Sequence, residues 1–307
     1  MAGRYGLVLI LAALILGGVI VLLGHVEQGV DFSAALEIWG DVLRDVDQVG
    51  FKLTRVSNQE EVRLGKEIAS QVRIRWRENE EWESYVSSVG QTLLPHIQRK
   101  GIHYEFHVVE SSRVNAFAMP GGQIFVTVGM LEFLQSEAEL AGVLAHEIAH
   151  VDLRHCIEGY QYVLATKRVG AGEVGHLAES FRRLLAIGYK KYQELDADAY
   201  GVRLMIEAGY DPQAMAVALH RLRQQFDKGG RPQAKTPVGE FTQALEQAIV
   251  SYPRSHPTSE ERIQRVERIV SRNRHHLSGR VLYVGAENYR KRIPRSLEDL
   301  PSERRGF

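Results

Sequence analysis

The sequence contains very little cysteine. Its 307 residues include a single one, Cys156. One cysteine excludes an intrachain disulfide, and it also excludes the CxxC motifs that bind zinc or perform thiol redox chemistry. Cysteine usage therefore does not report whether the protein works in an oxidising compartment. The compartment has to be inferred from other features of the chain.

Net charge is also absent. Lys and Arg together number 38, and so do Asp and Glu, so the formal charge is zero. No basic stripe is interleaved with aromatic residues, as a nucleic-acid groove would require. We therefore expect no nucleic-acid partner. With 44% hydrophobic and 25% charged residues, the composition is that of a globular protein with a real core.

Long apolar runs are scarce, and one stretch supplies the exception. Residues 6–24, GLVLILAALILGGVIVLLG, carry no charge and are long enough to cross a bilayer core of ~30 Å once as a helix. Arg4 precedes this run, whereas Glu27 and Asp31 follow it, so the positive-inside rule places the N-terminus in the cytoplasm. We expect a membrane anchor. The alternative is a cleaved signal peptide, against which the length of the run and the lack of an A-x-A site both count.

Capping signals and apolar periodicity divide the remainder into helices around a small sheet. Capping boxes predict three helix starts, at Ser57 with Glu60, Ser136 with Glu139, and Thr258 with Glu261. IHYEFHVVE alternates like a half-buried strand, and VNAFAMPGGQIFVTVG predicts two strands joined by a Pro-Gly-Gly turn. Periodicity predicts a long helix from about Leu177 to Ala208, ended by Gly209. VLYV, in the C-terminal tail, predicts a short late strand. The fold class is therefore α+β, mostly helical with a small sheet.

The residues that point to chemistry are concentrated in LAHEIAH, residues 144–150. In a helix, His146 and His150 lie one turn apart on one face, so both imidazoles can bind one ion while Glu147 reaches beside it. A catalytic zinc takes three protein ligands and leaves a fourth position for water. If the motif is functional, a third ligand must exist.

Two regions could supply the third ligand. Leu153 and Cys156 stand where the HExxHxxGxxH pattern has its glycine and last histidine. His155 should point round the helix from the motif face, so we expect a surface or capping histidine. KKYQELDADAYG instead offers Glu194 and Asp198 at i and i+4. One of these carboxylates can bind zinc while the other accepts the second ring N–H of a ligand histidine.

Four stretches, NAFAMPGGQIFVTVGML, LAHEIAHVDLRH, ELDADAYG and SHPTSEER, carry a family resemblance within residues 57–270. In order and spacing they resemble the zinc peptidase family that contains HtpX and the CAAX prenyl proteases, metallopeptidase family forty-eight. The resemblance implies a gluzincin-type domain. It also implies these roles: His146, His150 and Glu194 as zinc ligands, Glu147 as general base and acid, Asp198 as the carboxylate that orients a ligand histidine, and His256, Arg262 and Asn115 at the cleft.

These residues predict a zinc-dependent endopeptidase with one Zn²⁺ per chain. Zinc lowers the pKa of its bound water towards ~7, while Glu147 takes the water's proton during attack and later gives it to the leaving amine. His256 has two possible roles. It could steady the developing oxyanion, or it could bind the open zinc position as a latch. We expect the first role from the sequence. An extended substrate could add to the edge of the VNAFA strand.

Membrane topology separates this chain from HtpX and the CAAX prenyl proteases, the multi-pass members of the family that it resembles. No second run of about 18 apolar residues follows residue 24. The chain is more similar to single-anchor or periplasmic members, which the resemblance links to envelope protein quality control. We predict a single-pass protein of the bacterial inner membrane with its catalytic domain in the periplasm. The alternative is secretion to the periplasm after signal cleavage.

These expectations give a domain plan and a set of partners. The plan is a membrane anchor or signal segment at 1–24, a linker at 25–56, the peptidase domain at 57–279, and a strand with a charged tail at 280–307. The expected partners are unfolded or extended polypeptides and, through the N-terminal helix, the membrane. The oligomeric state is open. A catalytically inactive chaperone-like or adaptor protein is the alternative function, against which the intact Glu147 and ligand positions count.

Overall fold

The computed structural model of the protein describes residues 56–75, 79–158, 189–227, 252, 256–295 and 297–307. These residues belong to one compact unit, Thr54–Phe307. The predicted anchor at 6–24 lies outside the described residues, and so do residues 177–188 of the predicted long helix. No helix in the described part is long and apolar enough to span a bilayer.

The described part is mostly helical with a small sheet, which confirms the predicted α+β class. Its helices are α1 (Asn58–Arg75), α2 (Glu80–Leu93), α3 (Val128–Phe133), α4 (Glu137–Asp152), α5 (Lys191–Glu207), α6 (Gln213–Asp227), α7 (Glu260–Arg272), α8 (Arg274–Leu277) and α9 (Ala286–Lys291). Its strands are β1 (Glu105–Val109), β2 (Ala116–Met119), β3 (Gln123–Thr127), β4 (Val281–Tyr283) and β5 (Arg304–Gly306).

Side-chain caps fix where several helices begin. The predicted capping box at the start of α1 is confirmed by both of its hydrogen bonds. At the start of α4, the Ser136 hydroxyl accepts from the Glu139 N–H at 3.2 Å, as predicted. The cap of α7 was wrong by one residue, because Ser259 rather than Thr258 accepts from the Arg262 N–H. Both residue types can cap, and Ser259, with an extended backbone, occupies the N-cap position.

The three-stranded sheet has the order β1-β3-β2, with β1 parallel and β2 antiparallel to β3. Phe106 and Ile124 face the main core. On the other face, Phe125 stacks between His107 and Phe117, and all three are buried. The prediction of a half-buried β1 was therefore wrong. Alternation identified one apolar face, but it could not show that the face carrying His107 is covered as well.

The predicted turn between β2 and β3 is present and serves as a docking point for α1. Gly121 and Gly122 have positive φ values of 75° and 90°, which glycine adopts without strain. A Cβ on Gly65 of α1 would lie 1.9 Å from the Pro120 carbonyl oxygen, so the helix can approach only without a side chain there. The buried Glu61 carboxylate accepts from the Gly121 N–H at 3.2 Å. Helix and turn are thus held together by shape and by a hydrogen bond.

Helix α4 lies at the centre of the molecule, and all of its residues are buried. It packs most extensively against α5 and also contacts α2, α6 and β2. A Cβ on Gly201 of α5 would lie 3.3 Å from the backbone nitrogen of His146, so glycine permits this close approach. The end of α5 agrees with the prediction, since Gly209 follows it with a positive φ of 78°. The predicted continuous helix from about Leu177 was wrong, because the extended backbone of Lys190 starts α5 at Lys191. The two motif-bearing helices are therefore direct neighbours.

The C-terminal segment packs against the beginning of α4. The predicted late strand is confirmed as β4, which pairs antiparallel with β5. The Tyr289 hydroxyl donates to the Leu131 carbonyl oxygen, and the Arg295 N–H donates to the Glu137 carboxylate. This segment closes the end of the helix opposite to the histidine motif.

Candidate metal centre

The two histidines of the motif lie one turn apart on α4, as their spacing predicts. Their Nε2 atoms are 3.0 Å apart, and both side chains are 1% exposed or less. The helix that holds them has a side-chain cap at its first turn and no exposed residue along its length. The imidazoles are consequently fixed in one arrangement by the core.

Helix α5 supplies a carboxylate to the same point. Glu194 Oε2 lies 3.5 Å from His146 Nε2, and Glu194 Oε1 lies 3.3 Å from His150 Nε2. Glu194 is 1% exposed. The two predicted ligand motifs, more than 40 residues apart in sequence, therefore converge with donor atoms directed at one another.

Asp198, one turn after Glu194, takes the orienting position predicted for the second carboxylate. Its Oδ1 lies 2.9 Å from His146 Nδ1. Arg262 of α7 donates to both Asp198 oxygens from Nε and Nη2, each at 2.7 Å. Arg262 also contacts Glu194 and donates from Nη1 to the Pro257 carbonyl oxygen at 3.2 Å. The predicted cleft arginine thus joins the two acids of α5 to the segment that bears His256.

His256 joins the ligand group itself. Its Nδ1 lies 3.2 Å from His146 Nε2 and 3.0 Å from Glu194 Oε1. One potential ligand atom from each of His146, His150, Glu194 and His256 lies within 4.8 Å of the other three. The sequence placed His256 at the cleft, and the structure brings it into contact with the predicted ligands.

Glu147 lies beside this group with unused hydrogen-bonding capacity. It is 0% exposed, and within the described residues neither of its carboxylate oxygens has a hydrogen-bond partner. His256 Nε2 is 3.3 Å from Glu147 Oε1 but does not form a hydrogen bond with it. A buried carboxylate without partners is costly. Such a group next to two imidazoles and a second carboxylate fits a zinc ion with a bound water.

The charges around the site favour a cation. Burial alone would lower the pKa of His146, but the facing carboxylates of Asp198 and Glu194 outweigh burial and raise it to about 9. Burial would likewise raise the pKa of Glu194, yet His256 and Arg262 hold it well below its usual value. The carboxylates therefore stabilise positive charge at the position where their oxygens and the His146 ring meet.

One sequence expectation about this region was wrong. His155, expected to be a surface or capping residue, is 6% exposed, and its Nδ1 lies 3.0 Å from His150 Nδ1. The expectation assumed that the helix continues, but α4 ends at Asp152 and Arg154 adopts a positive φ of 68°. This left-handed turn redirects the chain back towards the motif. Burial lowers the pKa of His155 to about 4, so the ring is neutral near pH 7.

The sequence predicted a cleft position for Asn115 and no role for Tyr189. Asn115 is buried, and its backbone pairs with Thr127 through N–H and C=O contacts of 3.0 Å and 2.8 Å to the hydroxyl. It does not belong to the four-residue ligand group. Tyr189 was not singled out, although its ring stacks on His150 with 3.7 Å between ring centroids. Its position just before the ExxxD helix was the only available sequence signal.

Comparison with known proteins agrees with this geometry. The family model described as Peptidase family M48 matches residues 80–270, which is more than half of the chain. This chain belongs to peptidase family M48. The matched region contains the HExxH and ExxxD motifs and also His256 and Arg262.

Several curated relatives of the chain are named as proteases. The chain is 30% identical over 192 residues to the mitochondrial metalloendopeptidase OMA1 of Schizosaccharomyces pombe, covering 60% of this chain and 51% of that protein. It is 28% identical over 167 residues to the beta-barrel assembly-enhancing protease of Escherichia coli, covering 48% and 34%. It is 28% identical over 155 residues to the metalloprotease LoiP of E. coli, covering 47% and 60%. The matches thus span about a third to three fifths of these relatives.

Proposed function

We propose that this protein is a zinc-dependent endopeptidase that hydrolyses exported or envelope proteins, in the service of protein quality control. The observation that carries the proposal is the convergence of His146, His150 and Glu194 beside the buried, unpartnered carboxylate of Glu147. Membership of family M48 and the protease names of the relatives support it. The choice of exported or envelope proteins as substrates follows from the expected periplasmic location.

The residues divide the chemical work between them. His146, His150 and Glu194 would hold the ion, which when bound supplies Lewis acidity and a water of lowered pKa. Glu147, whose oxygens accept no hydrogen bond from the described residues, accepts the proton of the attacking water and passes it to the leaving amine. Asp198 fixes the ring of His146 through its Nδ1 contact. Burial of the whole group keeps bulk water away from the reacting atoms.

The arrangement of His256 supports the latch role more than the oxyanion role in this conformation. Its Nδ1 lies against His146 Nε2 and Glu194 Oε1, and its Nε2 faces the general base. A fourth ligand at this position would displace the catalytic water. Two anchors hold the segment: the Tyr252 N–H donates to the Val114 carbonyl oxygen at 3.3 Å, and Arg262 donates to Pro257. Cleavage would require His256 to move away.

Strand β2 is the proposed place for an extended substrate. It lies at one end of the β1-β3-β2 order and contacts α4, so a polypeptide paired along its other edge would run towards the candidate ligands. The contact of Tyr252 with Val114 occupies the position just before this strand. Displacement of the His256 segment would thus free both the ligand position and the start of the strand edge.

The location remains part of the proposal. The uncharged run at residues 6–24 and its flanking charges support a single membrane anchor, with the peptidase domain on the periplasmic side. Exported or envelope polypeptides that are unfolded or extended would then be the accessible substrates. The name of the E. coli relative, a beta-barrel assembly-enhancing protease, is consistent with that choice.

The decisive experiment measures zinc content and casein cleavage on the same full-length preparations. We expect about one zinc per chain, and cleavage that a chelator abolishes and added zinc restores. Glu147→Gln should keep the zinc and lose about 10²- to 10⁴-fold in turnover, because an amide cannot take the proton of the water. Glu132→Gln, an exposed acid on α3, is the matched control and should retain activity. An active Glu147→Gln protein would overturn the mechanism.

A further inference from the structure

The two ligand histidines are oriented by acceptors of different charge. His146 Nδ1 faces the carboxylate of Asp198 at 2.9 Å. His150 Nδ1 faces the imidazole Nδ1 of His155 at 3.0 Å. Carboxylates and backbone carbonyls are the common partners of a metal-binding histidine. A second imidazole in that place requires its own explanation.

Proton positions on the His150 ring follow from its contacts. Its Nε2 lies 3.0 Å from His146 Nε2 and 3.3 Å from Glu194 Oε1, so Nε2 is the atom directed at the ligand group. A metal takes the lone pair of that nitrogen, so the neutral ring must carry its proton on Nδ1. His150 therefore donates, and His155 Nδ1 must accept. This fixes His155 as the neutral tautomer with its proton on Nε2.

The surroundings hold His155 in the accepting position. The chain reverses at Arg154, where φ is 68°, immediately before His155. Tyr189 stacks on His150 at an interplanar angle of 17°, and its hydroxyl lies 3.2 Å from Cys156 Sγ. With His155 6% exposed, water has little access to compete for the His150 proton. The His150 ring is thus fixed at its face by Tyr189 and at its edge by His155.

We propose that His155 is a positioning residue of the metal centre, which accepts the Nδ1 proton of His150 and sets the tautomer and orientation of that ligand. It does so without adding charge, in contrast to Asp198 at the other histidine. This inference rests on the proposed zinc site and deepens it. The competing explanation is a histidine that merely fills space at the end of α4.

Two substitutions of His155 distinguish a hydrogen-bond acceptor from a side chain that only fills space. His155→Asn places an amide oxygen near the position of Nδ1 and keeps an acceptor, whereas His155→Leu has similar bulk and no acceptor. His107, which is 4% exposed and hydrogen-bonded to Gln123 at 2.9 Å on the sheet, supplies the matched control His107→Leu. The full-length protein is used throughout.

The main measurement is zinc affinity by chelator competition, together with the visible spectrum of the cobalt-substituted protein and the melting temperature without metal. We expect His155→Leu to weaken zinc binding about 10- to 100-fold and to change the cobalt spectrum. His155→Asn should stay within about threefold of the parent, below that range, because the amide oxygen still accepts the His150 proton. His107→Leu should lower the melting temperature without changing zinc affinity.

The outcomes separate this inference from the proposed function. If the parent binds zinc and cleaves casein while His155→Leu retains the parent zinc affinity, the positioning role is wrong and the proposed function stands. If His155→Asn and His155→Leu lose zinc affinity equally, hydrogen-bond acceptance is not the cause of the loss, and the positioning role is again wrong. If the parent protein binds no zinc, both proposals fail together. Zinc affinity that is kept in His155→Asn and lost in His155→Leu supports the positioning role.

Discussion

Two of the buried glutamates of helix α4, Glu137 and Glu147, have opposite surroundings. Glu137, in its first turn, is 0% exposed and accepts from the hydroxyls of Tyr85 and Tyr210 at 2.9 Å and 2.8 Å. The Arg295 N–H lies 3.2 Å from one of its oxygens and 3.3 Å from the other. Glu147 is equally buried, yet its oxygens have no hydrogen-bond partner in the described part of the chain.

This difference shows what marks a buried carboxylate as functional. Burial alone does not, because both side chains are inaccessible and both lie on the same rigid helix. Glu137 uses its lone pairs to join α2, the loop after α5 and the C-terminal segment, which stabilises the fold. Within the described residues the Glu147 oxygens accept no hydrogen bond, which has a cost in stability. Unused acceptor capacity beside candidate metal-ligand residues is therefore the informative signal.

The largest effect expected at the Glu147 end is loss of the metal. His146→Ala and Glu194→Gln should each release zinc and abolish casein cleavage, because each removes one of three ligands. Metal analysis after gel filtration checks this. Asp196→Asn, an exposed acid on the same helix as Glu194, should keep both zinc and activity. Full zinc retention in both ligand variants would remove the distinction between the two ends of α4.

The next largest effect concerns His256, which faces Glu147. If His256 holds the water position closed, His256→Ala should raise basal cleavage of unfolded casein several-fold, because the fourth ligand is gone. If it instead stabilises the oxyanion, the same change should lower turnover by about 10²-fold. The sequence favoured a loss, whereas the contacts with His146 and Glu194 make a gain the expected result. Steady-state rates decide between them, and unchanged rates would exclude both roles.

At the Glu137 end the expected effect is on stability. Glu137→Ala leaves the hydroxyls of Tyr85 and Tyr210 without their acceptor, and it should lower the free energy of unfolding by about 2 to 4 kcal/mol. Zinc content per folded chain should not change. Urea unfolding and metal analysis of the same samples test this. Zinc loss at unchanged stability would contradict the assignment of Glu137 to the fold.

The smallest effect is a pH dependence of stability. Burial raises the pKa of Glu137, although the hydrogen bonds from Tyr210 and Tyr85 oppose that shift. A raised folded pKa means that the folded state binds the proton more tightly than the unfolded chain does. The resulting stability is fully present below the unfolded pKa of about 4.3 and is lost as pH rises through the folded value.

Glu137→Gln, which cannot titrate, isolates this contribution. The free energy of unfolding of the parent minus that of the variant should fall as the pH rises from acid to neutral. Equilibrium urea unfolding across that range measures it. A difference that is constant with pH, or that grows as pH rises, would show that the pKa of Glu137 is not raised in the folded protein.

Local sequence spacing was sufficient for the parts of the site that lie within one helix. The i, i+4 periodicity placed His146 with His150 and Glu194 with Asp198 on single faces, and the caps placed the starts of two helices. The Pro-Gly-Gly turn was predictable because positive φ restricts the residue choice to glycine. These features depend on backbone geometry over a few residues, so neighbouring residues determine them.

The tertiary structure decided the features that depend on where separate segments meet. His155 turned back towards His150 because α4 stops at Asp152 and Arg154 takes a left-handed conformation, which no periodicity encodes. His256 reached Glu194 across more than 60 residues through the anchors at its own segment. The sequence alone thus determined which residues could form the metal centre, whereas packing of distant segments decided which of them touch. The physical reason is that a helix fixes its own side-chain directions, but only the folded core fixes the positions of its neighbours.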